Sequence, residues 1–273
     1  MSRLLGCDFS SSPSKRKAIV LAWGQWRQDR VCLNELVHCD SLDSFSQALH
    51  APGPWVGGFD LPFGLPRELV SQLGWPTDWL ACMQHYAGLS REQIRDAFAG
   101  FCNARPVGGK FAHRATDIPA GSSPSMKWVN PPVAFMLHAG VPLMLQAGLH
   151  FPGLHHGDTA RVALEAYPGM WAKRVLGNRS YKNDATAKQT PERLIARKDL
   201  LHALVWGHTD LPVRIKLTDA QQDKLVADAT GDCLDALLCM LQAAWADQQH
   251  RQGDGLYGLP AAMDPLEGWI VNA

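Results

Sequence analysis

The sequence predicts an α/β domain built on a mixed sheet flanked by helices. Three observations lead there. Short apolar runs crowd residues 1–60, and the links between the first three are too short for crossovers, so those runs form hairpins. A long stretch of helical periodicity follows, from Arg67 to about His150. Beyond it, one more strand-like run gives way to helices, which completes the alternation expected of a sheet covered on its faces.

Taken in order, Arg3 to Phe9 reads as a first strand ending in an acid, Asp8. Lys17 to Trp23 is a second strand and Arg30 to Val37 a third. Ser41 to His50 is a helix capped by Ser41 or Asp43, with Leu42, Phe45 and Leu49 on its inner face. Trp55 to Gly58 is a fourth, buried strand running into Asp60, and Pro62 and Pro66 forbid its regular continuation. Helices are expected at 67–73, 77–87, 90–104 and 131–147, with a long Gly/Ser/Pro-rich loop between the last two. That loop carries Arg105, Lys110, His113, Arg114 and Lys127, and loops of such length commonly serve a function. Arg161 to Pro168 is a fifth strand, followed by helices at 169–176, 191–206 and 218–227. A last helix starts near Asp232 with Thr230 as its N-cap, and apolar residues at Leu234, Leu237, Leu238, Leu241 and Trp245 form one buried stripe. Leu266 to Val271 is a possible short strand. The expectation is a single domain over 1–273 with a five-stranded sheet and a helical insertion at 67–150 after the fourth strand. This order matches the RNase H-like fold.

Composition narrows the function. Lys+Arg and Asp+Glu both number 26 in 273 residues, so no global charge advertises a nucleic acid or a membrane. Charge is uneven, however: Lys173 to Lys198 holds eight basic residues against Asp184 and Glu192. The seven cysteines are scattered, odd in number and free of C-x-x-C spacing, which predicts buried thiols in a reducing cytoplasm rather than a structural zinc site. No apolar run reaches membrane-spanning length and the N-terminus lacks a signal-peptide pattern. The phosphate-loop pattern G-x-x-x-x-G-K-[ST] is absent.

The chemistry-bearing residues are acids at element ends. Asp8 and Asp60 end strands, while Asp232 and Asp235 lie three apart in the first turn of a helix and so project from neighbouring positions. Such carboxylates, brought together, suit Mg²⁺ or Mn²⁺, hard ions that prefer oxygen ligands, and hence metal-assisted phosphoryl chemistry. Each residue also has a plainer reading. Asp8 can cap the Ser10–Ser12 turn, Asp60 can stabilise the proline-rich turn, and acids in a first helical turn complement its dipole. Glu165 can be a further ligand or can anchor an arginine such as Arg174 or Arg197. The basic stretch can be a solvated face, and Trp128 and Trp171 can be core aromatics rather than stacking platforms. His155-His156 has no third ligand nearby in the sequence.

Five motifs in one order carry a resemblance: Gly6-Cys7-Asp8-Phe9; Gly58-Phe59-Asp60-Leu61-Pro62-Phe63-Gly64-Leu65-Pro66; Glu165-Ala166-Tyr167-Pro168; Asp232-x-x-Asp235-Ala236; and Glu267-Gly268-Trp269-Ile270. Together they resemble the domain-of-unknown-function 429 family, regarded as predicted nucleases of RNase H-like, RuvC-like type. The resemblance implies catalytic, metal-holding acids at Asp8, Asp60, Asp232 and Asp235. It also sets the Lys182–Arg197 region beside the site. Lys110, Lys182, Arg193 and Arg197 are then the expected contacts to a nucleic acid, DNA or RNA, and water the expected nucleophile. Two other readings stand beside this one: a non-catalytic nucleic-acid-binding or scaffold protein that retains the acids as a relic, and an actin-like ATPase or kinase.

Overall fold

A computed structural model describes residues 2–273. Its centre is one mixed sheet of seven strands, in the order β5-β6-β4-β1-β2-β3-β7. Strands β1 (Arg3–Asp8), β2 (Ile19–Arg27) and β3 (Arg30–Cys39) are antiparallel neighbours, as their short links require. β4 (Trp55–Asp60) runs parallel to β1 on its other side, and β6 (Asp158–Glu165) runs parallel to β4. The expected five strands are all present. The count is seven because β5 (Leu149–His150) and β7 (Arg214–Lys216) add to the two edges. Two and three residues are too few to display a period of two. The expected strand at 266–271 is a correction in the other direction: it contributes only a single parallel bridge, Glu165 to Ile270.

Helices cover both faces. On one side lie α1 (Leu42–Leu49) and the insertion's α2 (Arg67–Gln72), α3 (Trp79–Ala87), α4 (Arg91–Asn103) and α6 (Val133–Gln146). Their apolar faces meet Leu5, Cys7, Phe9, Leu21 and Trp23. Within the long loop of the insertion a short α5 (Asp117–Ala120) instead buries its Ala120 with Leu4 and Val20. On the other side α7 (Pro168–Leu176), α8 (Pro191–Trp206), α9 (Asp219–Ala227) and α10 (Asp232–Arg251) bury Leu4, Val20, Ala22 and Val31. Alternate residues of β1 thus serve opposite cores, as a strand covered on both faces demands.

Helix α10 is the spine of the second layer. It is buried almost all round, from Cys233 through Ala244, and not only along the single stripe its leucines suggest. Two glycines let it lie directly on the sheet. A Cβ on Gly6 would stand 1.9 Å from the Ala236 carbonyl oxygen, and one on Gly58 would stand 2.4 Å from that of Cys239. Gly6 and Gly58 are register partners on β1 and β4. Each precedes an acid by two residues and so shares its face of the sheet. The close approach at the glycines therefore draws the N-terminal turn of α10 toward Asp8 and Asp60.

The start of α10 corrects the expected cap. Gly231, at φ 81°, occupies the N-cap position, and Thr230 gives no side-chain cap. Asp228 supplies the acceptor instead, taking the backbone N–H of Cys233 at 2.8 Å and the Thr230 hydroxyl at 2.6 Å. A full negative charge satisfies the orphan N–H and the helix dipole better than a hydroxyl does.

Candidate functional site

The C-terminal ends of β1 and β4 lie side by side, with Asp8 and Asp60 in direct register. Parallel pairing sends both carboxylates out at one edge of the sheet, where the N-terminal turn of α10 adds Asp232 and Asp235. Burial pushes the Asp8 carboxyl well above the usual carboxylate range, and the charges of Asp235, Asp232 and Asp60 push it further. Asp60 is pushed up to about 7 by burial and then by Asp235, with Lys182 acting against both. The four sequence-predicted acids, remote in the chain, thus act on one another in space.

Their partners differ. Asp235 is fully buried and held on both oxygens, by the Tyr181 hydroxyl and by the Lys182 ammonium. Asp232 accepts from Lys17 Nζ at 3.3 Å, and the same ammonium reaches Asp184 at 2.9 Å. Asp8 and Asp60 have no hydrogen-bond or ion-pair partner among the described residues. Burial alone would depress the Lys182 ammonium, but Asp235, Tyr181 and Asp8 outweigh it and hold its pKa well above the usual lysine value. Lys182 therefore carries its charge into the acid cluster, while its side chain remains 42% exposed.

Two predicted site residues are already engaged by other partners. Glu165 is not free to ligate. Its Oε1 accepts from Arg114 at 2.7 Å, and its Oε2 accepts from Arg114 at 2.8 Å and from the Phe63 N–H at 2.9 Å. It anchors an arginine, as one reading of the sequence allowed, but the arginine is Arg114 rather than Arg174 or Arg197. Arg197 is the second correction. It is buried, with its guanidinium donating to the carbonyls of Val226 (2.7 Å) and Tyr181 (2.8 Å), and so it fixes the backbone that carries Tyr181 instead of facing a substrate. Arg193 is half-buried and holds the same loop through Ser180 and the Lys188 carbonyl. Lys110 is exposed on the insertion loop, without a hydrogen bond or ion pair to any of the four acids. Trp128 packs against Phe98 and Phe111, and Trp171 is buried, so both are core aromatics.

Sequence reasoning missed Tyr181 and Lys17. The signal for Tyr181 was its place beside Lys182; Lys17, just ahead of β2, gave none. Chemically, the site offers hard oxygen donors with a surplus of negative charge. Asp8 and Asp60 fit a divalent cation: two adjacent carboxylates, half-buried and lacking a bonded counter-ion. Among the described residues no group of three or more acid, histidine or cysteine side chains is placed to hold a metal ion. Asp232 and Asp235 are the other carboxylates whose charges reach Asp8.

Among the described residues, no helix is long and apolar enough to cross a membrane. Comparison of the chain with family models, with curated proteins and with solved structures returns no match.

Proposed function

We propose that the protein is a metal-dependent phosphodiester hydrolase, a nuclease of RNase H-like fold using Mg²⁺ or Mn²⁺. The fold reading rests on the order β3-β2-β1-β4-β6, with three antiparallel strands followed by two parallel ones, and treats the two edge strands as additions. The function reading rests on one observation: Asp8 and Asp60 stand in register, face the acids of α10, and have no bonded cation of their own. A structural acid pair would be expected to have one.

In this reading Asp8 and Asp60 hold the ion, with Asp232 or Asp235 completing its protein ligands. The ion, when bound, would supply positive charge against a phosphoryl oxygen and acidify the attacking water. Tyr181 keeps Asp235 oriented through its hydroxyl. Lys182, paired with Asp235 and partly exposed, would neutralise a phosphate of the strand being cut. Lys17 holds Asp232 at the rim beside Asp184. The wider rivals remain defined by what they lack: a relic scaffold would show no response to the ion, and an ATPase would need a phosphate loop that the chain does not contain.

Asp8→Asn tests the proposal, because it removes one charge and nearly preserves shape. In chelator the variant should melt at or above the wild-type temperature, since repulsion among the acids falls. In Mn²⁺ the wild type should gain about 2.7 kcal/mol at a hundredfold excess over Kd. The variant should gain much less, and Mn²⁺-dependent cleavage of labelled DNA and RNA should fall with it. Equal Mn²⁺-induced melting shifts in the two proteins would remove Asp8 from the site and the mechanism with it.

A further inference from the structure

Beside Asp60 the helical insertion closes a recess of about 190 Å³. Its lining combines the C-terminal ends of two strands, where Pro62 follows β4 and Tyr167 follows β6, with the insertion: Val133 and Met136 from α6, and Ser123 from the loop before it. Without the insertion the end of β4 would be open to solvent, so this segment gives the acid cluster a side pocket.

We propose that this recess takes one unpaired nucleobase of a single-stranded nucleic acid and so sets the substrate of the hydrolase as single-stranded. The inference rests on the phosphodiester reading above and adds to it the state of the strand. Four features support a base. The volume lies below the roughly 300–1,000 Å³ of pockets that hold drug-sized ligands, so the recess suits a single ring system. Its walls are mainly apolar and include the Tyr167 ring and the flexible thioether of Met136, both groups that pack well on a flat aromatic ring. Its free polar groups are few: the hydroxyls of Tyr167 and Ser123 have no hydrogen-bond partner among the described residues and can meet the polar edge of a base. It does not suit a phosphate, because the one cation in its lining, Arg114, is already taken by Glu165 and Asp117. Position supplies the rest. Asp60 lines the same recess, so a base seated there sets its own phosphodiester link against Asp60 and Asp8. A base still stacked and paired in a duplex cannot enter without being extruded, which costs a few kcal/mol.

The test is fluorescence anisotropy with a short labelled single strand of mixed sequence, its duplex and a nucleoside monophosphate, all with Ca²⁺ as the cation. Wild type should bind the single strand roughly tenfold or more tighter than the duplex, the range expected of one stacked base. Met136→Trp fills the recess from within, and Ser123→Tyr blocks it from the half-exposed rim if the first variant folds poorly. Each should erase the single-strand preference while keeping the Mn²⁺-induced melting shift, which checks that the fold and the acids are intact. No preference in the wild type, a preference that survives both substitutions, or a mononucleotide that binds as tightly as the strand would each overturn the proposal. The melting shift separates the two readings. A wild type with the shift but no strand preference loses the base pocket alone, whereas a wild type without the shift loses the metal-dependent hydrolase.

Discussion

Two groups of acids lie at the ends of neighbouring strands, and they are built on opposite principles. At the end of β6, Glu165 and the nearby Asp117 enclose Arg114. Every carboxylate oxygen there has a donor: Asp117 Oδ1 accepts from Arg114 Nη2 at 2.8 Å and its Oδ2 from the Arg114 N–H at 2.9 Å, while Glu165 receives both terminal nitrogens of the guanidinium. Arg114 also donates to the Glu267 carbonyl at 2.9 Å, and the Ile270 N–H reaches the Thr116 hydroxyl at 3.0 Å. The group therefore pins the long loop and the C-terminal segment to the sheet. One strand away, Asp8 and Asp60 are gathered with two more acids and have no donor at all. Paired acids hold the fold, and unpaired ones are held by it at a cost. Groups of the second kind are where function is sought, because stability alone would not keep them.

The largest effect should come from breaking the paired group. Arg114→Met leaves Glu165 and Asp117 buried without their cation, and removing one partner of a buried ion pair costs about 3–5 kcal/mol. Urea unfolding should show that loss, and the C-terminal segment should become open to proteolysis as its anchors fail. A loss below about 1 kcal/mol would place Arg114 with ordinary surface pairs and erase the contrast between the two groups.

The unpaired group should respond with the opposite sign and with a signature in pH. Asp60 keeps its proton in the folded protein up to about 7 but loses it near 3.8 when unfolded. Between those values the folded state binds more protons, so wild-type stability falls as pH rises. The penalty is absent below the unfolded pKa, grows through the window and is complete above about 7. Asp60→Asn carries no such penalty. Its advantage over the wild type should therefore be nil near pH 4, widen toward pH 7 and stay level beyond it. One pKa unit is worth about 1.4 kcal/mol, so the plateau is at most about 4 kcal/mol, reduced by the solvent that reaches this half-buried carboxylate. Chemical denaturation of both proteins across that range measures it. A constant difference between them would show that Asp60 is charged throughout and not held in a repelling cluster.

How much of this was legible in the sequence follows from the range of the interactions. Asp8 and Asp60 were readable because local signals, apolar runs stopped by glycine and proline, set each at a strand end. Asp232 and Asp235 were readable from helical spacing. The partners were not, because no local pattern links Glu165 to Arg114 or Asp235 to Lys182, more than fifty residues apart in the chain. Arg197 looked like one basic residue among eight, and only its contact with two backbone carbonyls turns it inward. The Thr230 cap failed for a related reason: propensity named the hydroxyl, and the carboxylate of Asp228 competed for the same N–H groups and won. The stripe on α10 understated its burial because sequence periodicity reports one face, while here a sheet and a second layer of helices enclose the helix on every side.

The smallest effect separates two lysines that sequence alone ranked together. Lys182 is tied to Asp235 inside the cluster, and Lys110 stands exposed on the insertion loop. Each phosphate contact to a single strand contributes about 0.7 to the slope of log binding constant against log salt. If Lys182 contacts the strand only after the acids turn to a metal ion, its contribution depends on that ion. In chelator, Lys182 is spent on Asp235, and Lys182→Ala should leave the slope near the wild-type value. With Ca²⁺ present, the ammonium is released, and the same substitution should lower the slope by roughly 0.7. Lys110→Ala should change neither slope, because nothing ties that residue to the acids. Binding titrations over a salt series, with and without Ca²⁺, give the four comparisons. Equal losses from the two lysines would reduce Lys182 to one more surface charge. A loss at Lys182 of the same size in chelator would mean that its tie to Asp235 does not compete with phosphate, and ion and strand would not be coupled at this site.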